Sequence, residues 1–175
     1  MMHVITGGSG SGKSRFAEQQ ILDLGPARRI YIATMHPYDE ESFARIRRHR
    51  AMRAEKEFDT RECYTGLKEL EIPSGANVLL ECMSNLTANE MFEEQGAGEN
   101  TVEEILQGIH HLRQQAANVV VVTNEICSDG IEYDPVTVQY QKYLGQINQA
   151  MAAMADRVTE VVYGIPLDLK GGAVG

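Results

Sequence analysis

Two stretches of this sequence carry residue types suited to chemistry at phosphorus. The first is Gly7-Gly8-Ser9-Gly10-Ser11-Gly12-Lys13-Ser14, which fits G-x-x-x-x-G-K-[S/T] between a strand-like and a helix-like segment. Its glycines let the backbone curl so that successive N–H groups face phosphate oxygens, and the helix start adds its positive dipole end. Lys13 would reach the terminal phosphates and the Ser14 hydroxyl would sit on Mg²⁺. The motif leaves the reaction open, and a glycine-rich turn that binds nothing is the plainer alternative.

The second stretch runs from Ala44 to Arg53 and holds five arginines, His49 and no acid. On a helix Arg45, His49 and Arg53 share one face at i, i+4 spacing. Arginine forks bind phosphate oxygens in pairs. Cations close to an imidazole favour its neutral form, and a neutral histidine is a competent nucleophile towards phosphorus. The alternative is a solvated basic face with an incidental histidine. Two carboxylates follow apolar strand-like runs: Glu81 after Asn77-Val78-Leu79-Leu80, and Glu125 after the valine run and Thr123-Asn124. An acid there can hold Mg²⁺, grip a ribose hydroxyl or accept a proton; a loop acid or a helix cap is the bland reading.

These residues need elements to position them. Short strands are expected at His3–Thr6, Arg29–Thr34, Phe58–Cys63, Asn77–Cys82, Asn118–Thr123 and Arg157–Tyr163. Helices are expected at Ser14–Leu22, Asp39–Arg53, Ser84–Glu93, from Thr101 with Glu104 as a capping box, and at Pro135–Met154 with Pro near the start. The alternation predicts an α/β single domain with a mostly parallel central sheet and helices on both faces, spanning 1–170 with a frayed tail near 171–175. Ligands in such folds bind at the carboxyl ends of strands, which is where the glycine loop, Glu81 and Glu125 fall.

Composition narrows the class. A chain of 175 residues, 43% of them hydrophobic, suits one domain with a real core. A net charge of −9 argues against nucleic acid as partner. No apolar run reaches the roughly 20 residues that span a bilayer, and no secretion leader is expected. The three cysteines, Cys63, Cys82 and Cys127, lack zinc spacing, so no structural metal is expected; reduced thiols in a cytoplasmic protein are the natural reading.

The ordered set of motifs resembles the bifunctional adenosylcobinamide kinase / adenosylcobinamide-phosphate guanylyltransferase family of cobalamin biosynthesis. It comprises the loop with Arg15 behind it, Tyr31-Ile32-Ala33-Thr34, Arg45-Ile46 with His49-Arg50, Leu80-Glu81-Cys82 followed by Asn85 or Asn89, Thr123-Asn124-Glu125 with Gly130-Ile131, and Gly145-Gln146-Ile147-Asn148-Gln149. The resemblance implies a RecA-like P-loop NTPase fold and a homotrimer. It implies phosphorylation of adenosylcobinamide with ATP or GTP, then transfer of GMP from GTP through a guanylyl-histidine to adenosylcobinamide phosphate, giving adenosylcobinamide-GDP. By position His49 matches the guanylylated histidine. Ala33, Thr34, Met35, Arg50, Ala51, Met52, Arg53, Glu62 and Glu81 match nucleotide contacts beside the loop, with Ser14 and Glu81 as candidate Mg²⁺ ligands. A kinase without the second step, or a non-catalytic nucleotide-binding protein, are the alternatives. The chain departs from the family at Gly10, where Arg is frequent, and at Ile126-Cys127-Ser128-Asp129-Gly130, where a glycine-containing run is usual.

Overall fold

The structure, a computed structural model, describes residues 1–126 and 133–172 apart from the Met52 side chain. Among these residues seven strands make one sheet: β1 Met2–Thr6, β2 Arg29–Ala33, β3 Phe58–Glu62, β4 Asn77–Glu81, β5 Asn118–Val122, β6 Arg157–Val162 and β7 Ile165–Lys170. The helices are α1 Lys13–Asp23, α2 Glu40–Arg53, α3 Met83–Phe92, α4 Thr101–Gln115 and α5 Pro135–Met154. The strand order is β3-β2-β4-β5-β1-β6-β7. The first six strands pair in parallel and β7 runs antiparallel to β6. The expected mostly parallel α/β sheet is therefore present.

The valine strand shows why the sheet sits at the centre. β-branched residues on consecutive positions suit a strand covered on both faces. Val119 and Val121 join Ile105, Ile109 and Leu112 of α4 and Leu144, Ile147 and Met151 of α5 in one cluster. Val120 and Val122 join Ala17 and Ile21 of α1 in the other. The α4 residues recur at i, i+4, i+7, the stripe that one buried helix face requires.

Two expectations are corrected. No capping box forms at Thr101, because a 3₁₀ turn at Gly98–Asn100 leads directly into α4 and moves the cap position to Asn100. The Thr101 hydroxyl donates back to the Gly98 carbonyl at 2.7 Å, and Glu104 instead pairs with Lys68 at 2.8 Å. The segment beyond β6 also holds a strand that the sequence reading left out. Tyr163 and Gly164, with φ of 50° and 79°, form the two-residue turn that favours positive φ at both positions, and β7 follows. Lys170 ends this strand, and its ammonium donates to the Ala152 and Ala153 carbonyls at 3.0 Å each. That places a cation on the carbonyl end of α5, where it is favoured. The sequence hid β7 because all its residues are exposed and Pro166 weakens the strand signal; on an edge strand a proline is tolerated.

His3 links β1 to this added hairpin. Its Nε2 lies 2.8 Å from the Thr159 hydroxyl oxygen, and that hydroxyl donates to the Asp168 carboxylate at 2.7 Å. The Thr159 proton is thus committed, so Nε2 donates and Nδ1 is left as a buried nitrogen without a partner. Burial first, then Arg157, lowers the His3 pKa from 6.5 to about 4 against the opposing pull of Asp168. An unfolded histidine takes a proton below its ordinary pKa while the folded one refuses it until about 4, so this group destabilises the fold as pH falls through that window. Urea midpoints measured from pH 7 down to 4.5 are expected to fall, and to fall less steeply in His3→Gln. Equal slopes for both chains would show that His3 does not drive the acid sensitivity.

Candidate functional site

The parallel strands bring their carboxyl ends to one edge, and the glycine loop leaves β1 there. Gly7 is a steric requirement: with φ of 151°, a Cβ would lie 2.5 Å from the Val161 carbonyl oxygen. Gly12 takes φ of 93° as the cap of α1, where a Cβ would press on Gly164 at 3.3 Å. The β6–β7 turn closes against the loop, its Gly164 N–H donating to the Ser11 carbonyl at 2.8 Å. Lys13 is 8% exposed and its ammonium donates to the Gly8 carbonyl at 2.9 Å. Burial lowers the Lys13 pKa, opposed by nearby Cys82 and Glu81.

Glu81 gathers the site. It ends β4 opposite Ala33 of β2 and Val122 of β5 and is 8% exposed. Its Oε1 accepts from the Ser14 hydroxyl, its Oε2 accepts from the Tyr31 phenol at 3.1 Å, and His49 Nδ1 stands 3.6 Å from Oε1. Tyr31 reaches Glu81 because both side chains stand on the α1 face of adjacent strands, as diagonal neighbours. Burial alone would push the Glu81 carboxyl up; donation from His49, Ser14 and Tyr31 more than offsets it and holds the group below its ordinary value. Burial and then the Glu81 charge push the Tyr31 phenol well above its usual range, so it stays a donor. The Glu81–Cys82 peptide bond is cis.

His49 comes from α2, a helix held by polar contacts. Asp39 caps it by accepting from the Ser42 N–H at 2.7 Å. Near its far end Arg53, 6% exposed, lays its guanidinium 3.3 Å from the centre of the Tyr31 ring. Lys56, just beyond, pairs with the fully buried Glu18 of α1. The five arginines thus divide. Arg53 is a structural anchor, Arg45 pairs with Glu41 at 3.0 Å and Arg50 pairs with Glu62 at 3.1 Å. Arg47 and Arg48 line the cleft and form no ion pair among the described residues.

The cleft is about 660 Å³ and is lined by Ser9 to Ser14, Ala33, Met35, His49, Arg50, Arg53, Glu62, Glu81 and Glu125 together. Gly8 contributes the carbonyl that holds Lys13. Thr34 and Ala51 are not brought in: the Thr34 side chain is buried, donating to the Cys82 carbonyl at 2.8 Å and accepting from the Cys82 N–H at 2.7 Å, and Ala51 is exposed. The Met52 side chain and residues 127–132, including Cys127 and the departure after Ile126, lie outside the described residues. Sequence reasoning missed Tyr31 as a site residue, and also Asn124, which donates to the Ser84 hydroxyl at the cleft wall. A tyrosine two residues before Ala33, on the same strand face, was the available signal for the first.

The Arg53–Tyr31 contact should govern how firmly α2 sits. Removing a desolvated cation–π contact costs about 2 kcal/mol. Arg53→Ala is expected to raise native-state tryptic cleavage after Arg47 and Arg48 by roughly 10-fold or more, since local opening follows that free energy. An unchanged cleavage rate would mean that α2 is held by other contacts.

Similarity extends over the full length to the bifunctional adenosylcobalamin biosynthesis protein CobU of Escherichia coli (strain K12), 35% identical over 184 residues, covering 97% of this chain and 100% of that protein. The corresponding protein CobP of Pseudomonas aeruginosa is 29% identical, covering 98% of each chain. Among solved structures, the flagellar accessory protein FlaH of Methanocaldococcus jannaschii superposes with a TM-score of 0.51 at 11% identity, over 99% of this chain and 81% of that one. A type III secretion ATPase of pathogenic bacteria superposes with a TM-score of 0.55 at 10% identity, over 95% of this chain and 56% of that one. These two show the P-loop NTPase fold alone. Residues 3–169 match the cobinamide kinase / cobinamide phosphate guanyltransferase family, and the chain belongs to that family.

Proposed function

We propose that this chain phosphorylates adenosylcobinamide with ATP or GTP and then transfers GMP from GTP, through a guanylyl-histidine at His49, to the new phosphate. The observation that carries the reading is the shared cleft: His49 and Ser9 to Ser14 of the glycine loop open onto the same space, joined through Glu81. Two reactions at phosphorus need one triphosphate cradle and one nucleophile, and the shared space supports assigning those roles to the loop and to His49.

For the kinase step, the loop N–H groups and the α1 N-terminus stabilise the charge on the transferred and leaving phosphates. Lys13 exchanges its Gly8 carbonyl contact for phosphate oxygens. For the guanylyl step, His49 attacks the α-phosphorus and pyrophosphate leaves, its growing charge met by the same loop. Arg47 and Arg48 are the arginines of α2 with forks available for phosphate; Arg50 reaches it by giving up Glu62. The Ser14 hydroxyl, whose hydrogen is held by Glu81, is a hard oxygen donor that suits Mg²⁺, an ion held by one or two protein oxygens together with substrate phosphates. That ion would supply charge neutralisation between phosphates.

Nucleotide contacts at Ala33, Met35, Arg53 and Glu62, which line the cleft, belong to this proposal, as do a role for Glu125 of the same lining, a homotrimer and a cytoplasmic setting. No helix among the described residues is long and apolar enough to cross a membrane.

Incubation with GTP and Mg²⁺ followed by intact-mass measurement is expected to show addition of one GMP, mapping to the peptide with His49 and absent in His49→Ala. Lys13→Ala is expected to lower both activities by on the order of 100-fold or more, as loss of a phosphate-stabilising group does. Phosphoryl transfer to adenosylcobinamide should survive His49→Ala. GTP binding with no adduct would reduce the chain to a kinase, and no turnover of either kind would leave only a nucleotide-binding protein.

A further inference from the structure

The two ring nitrogens of His49 are not equivalent, and their surroundings decide which one can bond phosphorus. Nδ1 stands 3.6 Å from Glu81 Oε1. Glu81 is enclosed by donors, Ser14 on one oxygen and Tyr31 on the other, a setting that favours the carboxylate form. An ionised carboxylate only accepts. Nδ1 must therefore carry the hydrogen that faces it, which leaves the lone pair of a neutral imidazole on Nε2. The imidazole side chain is 22% exposed and lines the cleft.

A second constraint acts independently of the tautomer. A GMP phosphate bonded to Nδ1 would have to fit inside the gap to Glu81 and set its negative oxygens against a buried anion. Like charges at such range in a desolvated site repel strongly. The cleft that His49 lines also carries cations, among them Arg47, Arg48 and Lys13 of the loop.

We infer that GMP is carried on Nε2 of His49, and that Glu81 is the positioning residue that selects this nitrogen. This rests on the reading of His49 as the group that takes GMP. In the first half-reaction the Nε2 lone pair attacks the α-phosphorus. The Nε2–P bond forms, the bond from that phosphorus to the bridging oxygen breaks, and pyrophosphate leaves with the electron pair. The ring, bonded to phosphorus at Nε2 and to hydrogen at Nδ1, becomes a cation, and the Glu81 carboxylate beside Nδ1 balances that charge. In the second half-reaction an oxygen of the acceptor phosphate attacks the same phosphorus, the N–P bond breaks, and its electrons return to Nε2. The Nδ1 hydrogen stays in place throughout, which is the role a carboxylate plays beside a nucleophilic or basic histidine elsewhere.

Two measurements on the full chain test this. The first charges the protein with GTP and Mg²⁺, digests it in base and compares the guanylyl-histidine with authentic Nδ1- and Nε2-linked standards by phosphorus–proton correlation. The expected product is the Nε2 isomer; the Nδ1 isomer would overturn the inference while leaving His49 as nucleophile. No adduct in a chain that binds GTP would overturn the reading of His49 itself. The second records nitrogen NMR of histidine-labelled, nucleotide-free protein. His49 is expected to be the Nδ1–H tautomer, and Glu81→Ala is expected to shift it towards Nε2–H and slow charging by on the order of 100-fold. A wild-type Nε2–H tautomer, or one unmoved in a folded Glu81→Ala chain, would remove Glu81 from the role.

Discussion

A single buried carboxylate ties this molecule together. Glu81 sits at the end of a central strand, where a lone charge would be expelled or neutralised. It is tolerated because three elements each offer it a donor: α1 through Ser14, β2 through Tyr31 and α2 through His49. The phosphate loop, the sheet edge and the basic helix are therefore registered to one another through one anion. Truncating it would leave the sheet intact and lose the alignment among those three parts.

The basic helix shows the same preference for polar joints. Among its described side chains α2 has no apolar stripe comparable to that of α4; Phe43 is 48% exposed. Its anchors are an arginine on an aromatic face and a lysine on a buried glutamate. Such contacts are directional, and they fix the orientation in which the helix sets His49 3.6 Å from Glu81 and Arg47 and Arg48 along the cleft. Arg53 and Tyr31 form a relay in this sense. The same ring that carries Arg53 presents its hydroxyl to Glu81, so the anchor of α2 and the anchor of the carboxylate share one side chain.

The phosphate loop was fully legible in the sequence, because its glycines answer local demands: positive φ at Gly12 and a close approach at Gly7 that no Cβ could survive. The buried strands were legible for a similar reason, since unbroken valine runs have few other uses. Legibility failed where a residue's role depends on its neighbours across the sheet. Five arginines looked alike in a line, and only the fold separates Arg53 on Tyr31 from Arg47 and Arg48 facing the cleft. Tyr31 joins Glu81 only because parallel pairing sets Ala33 opposite it. The β7 edge escaped because an exposed strand carries no burial signal, and the Thr101 capping box was misread because a 3₁₀ turn ran into the helix start.

The central claim is that one cleft passes GMP from a triphosphate to a histidine and from that histidine to a second substrate. The most direct measurement is a chase. Protein charged with α-labelled GTP is freed of nucleotide and then mixed with adenosylcobinamide phosphate alone. The account predicts that the label leaves the protein and appears in adenosylcobinamide-GDP in equal amount, with no added GTP. Label that stays on the protein, or leaves only as free GMP by hydrolysis, would contradict it.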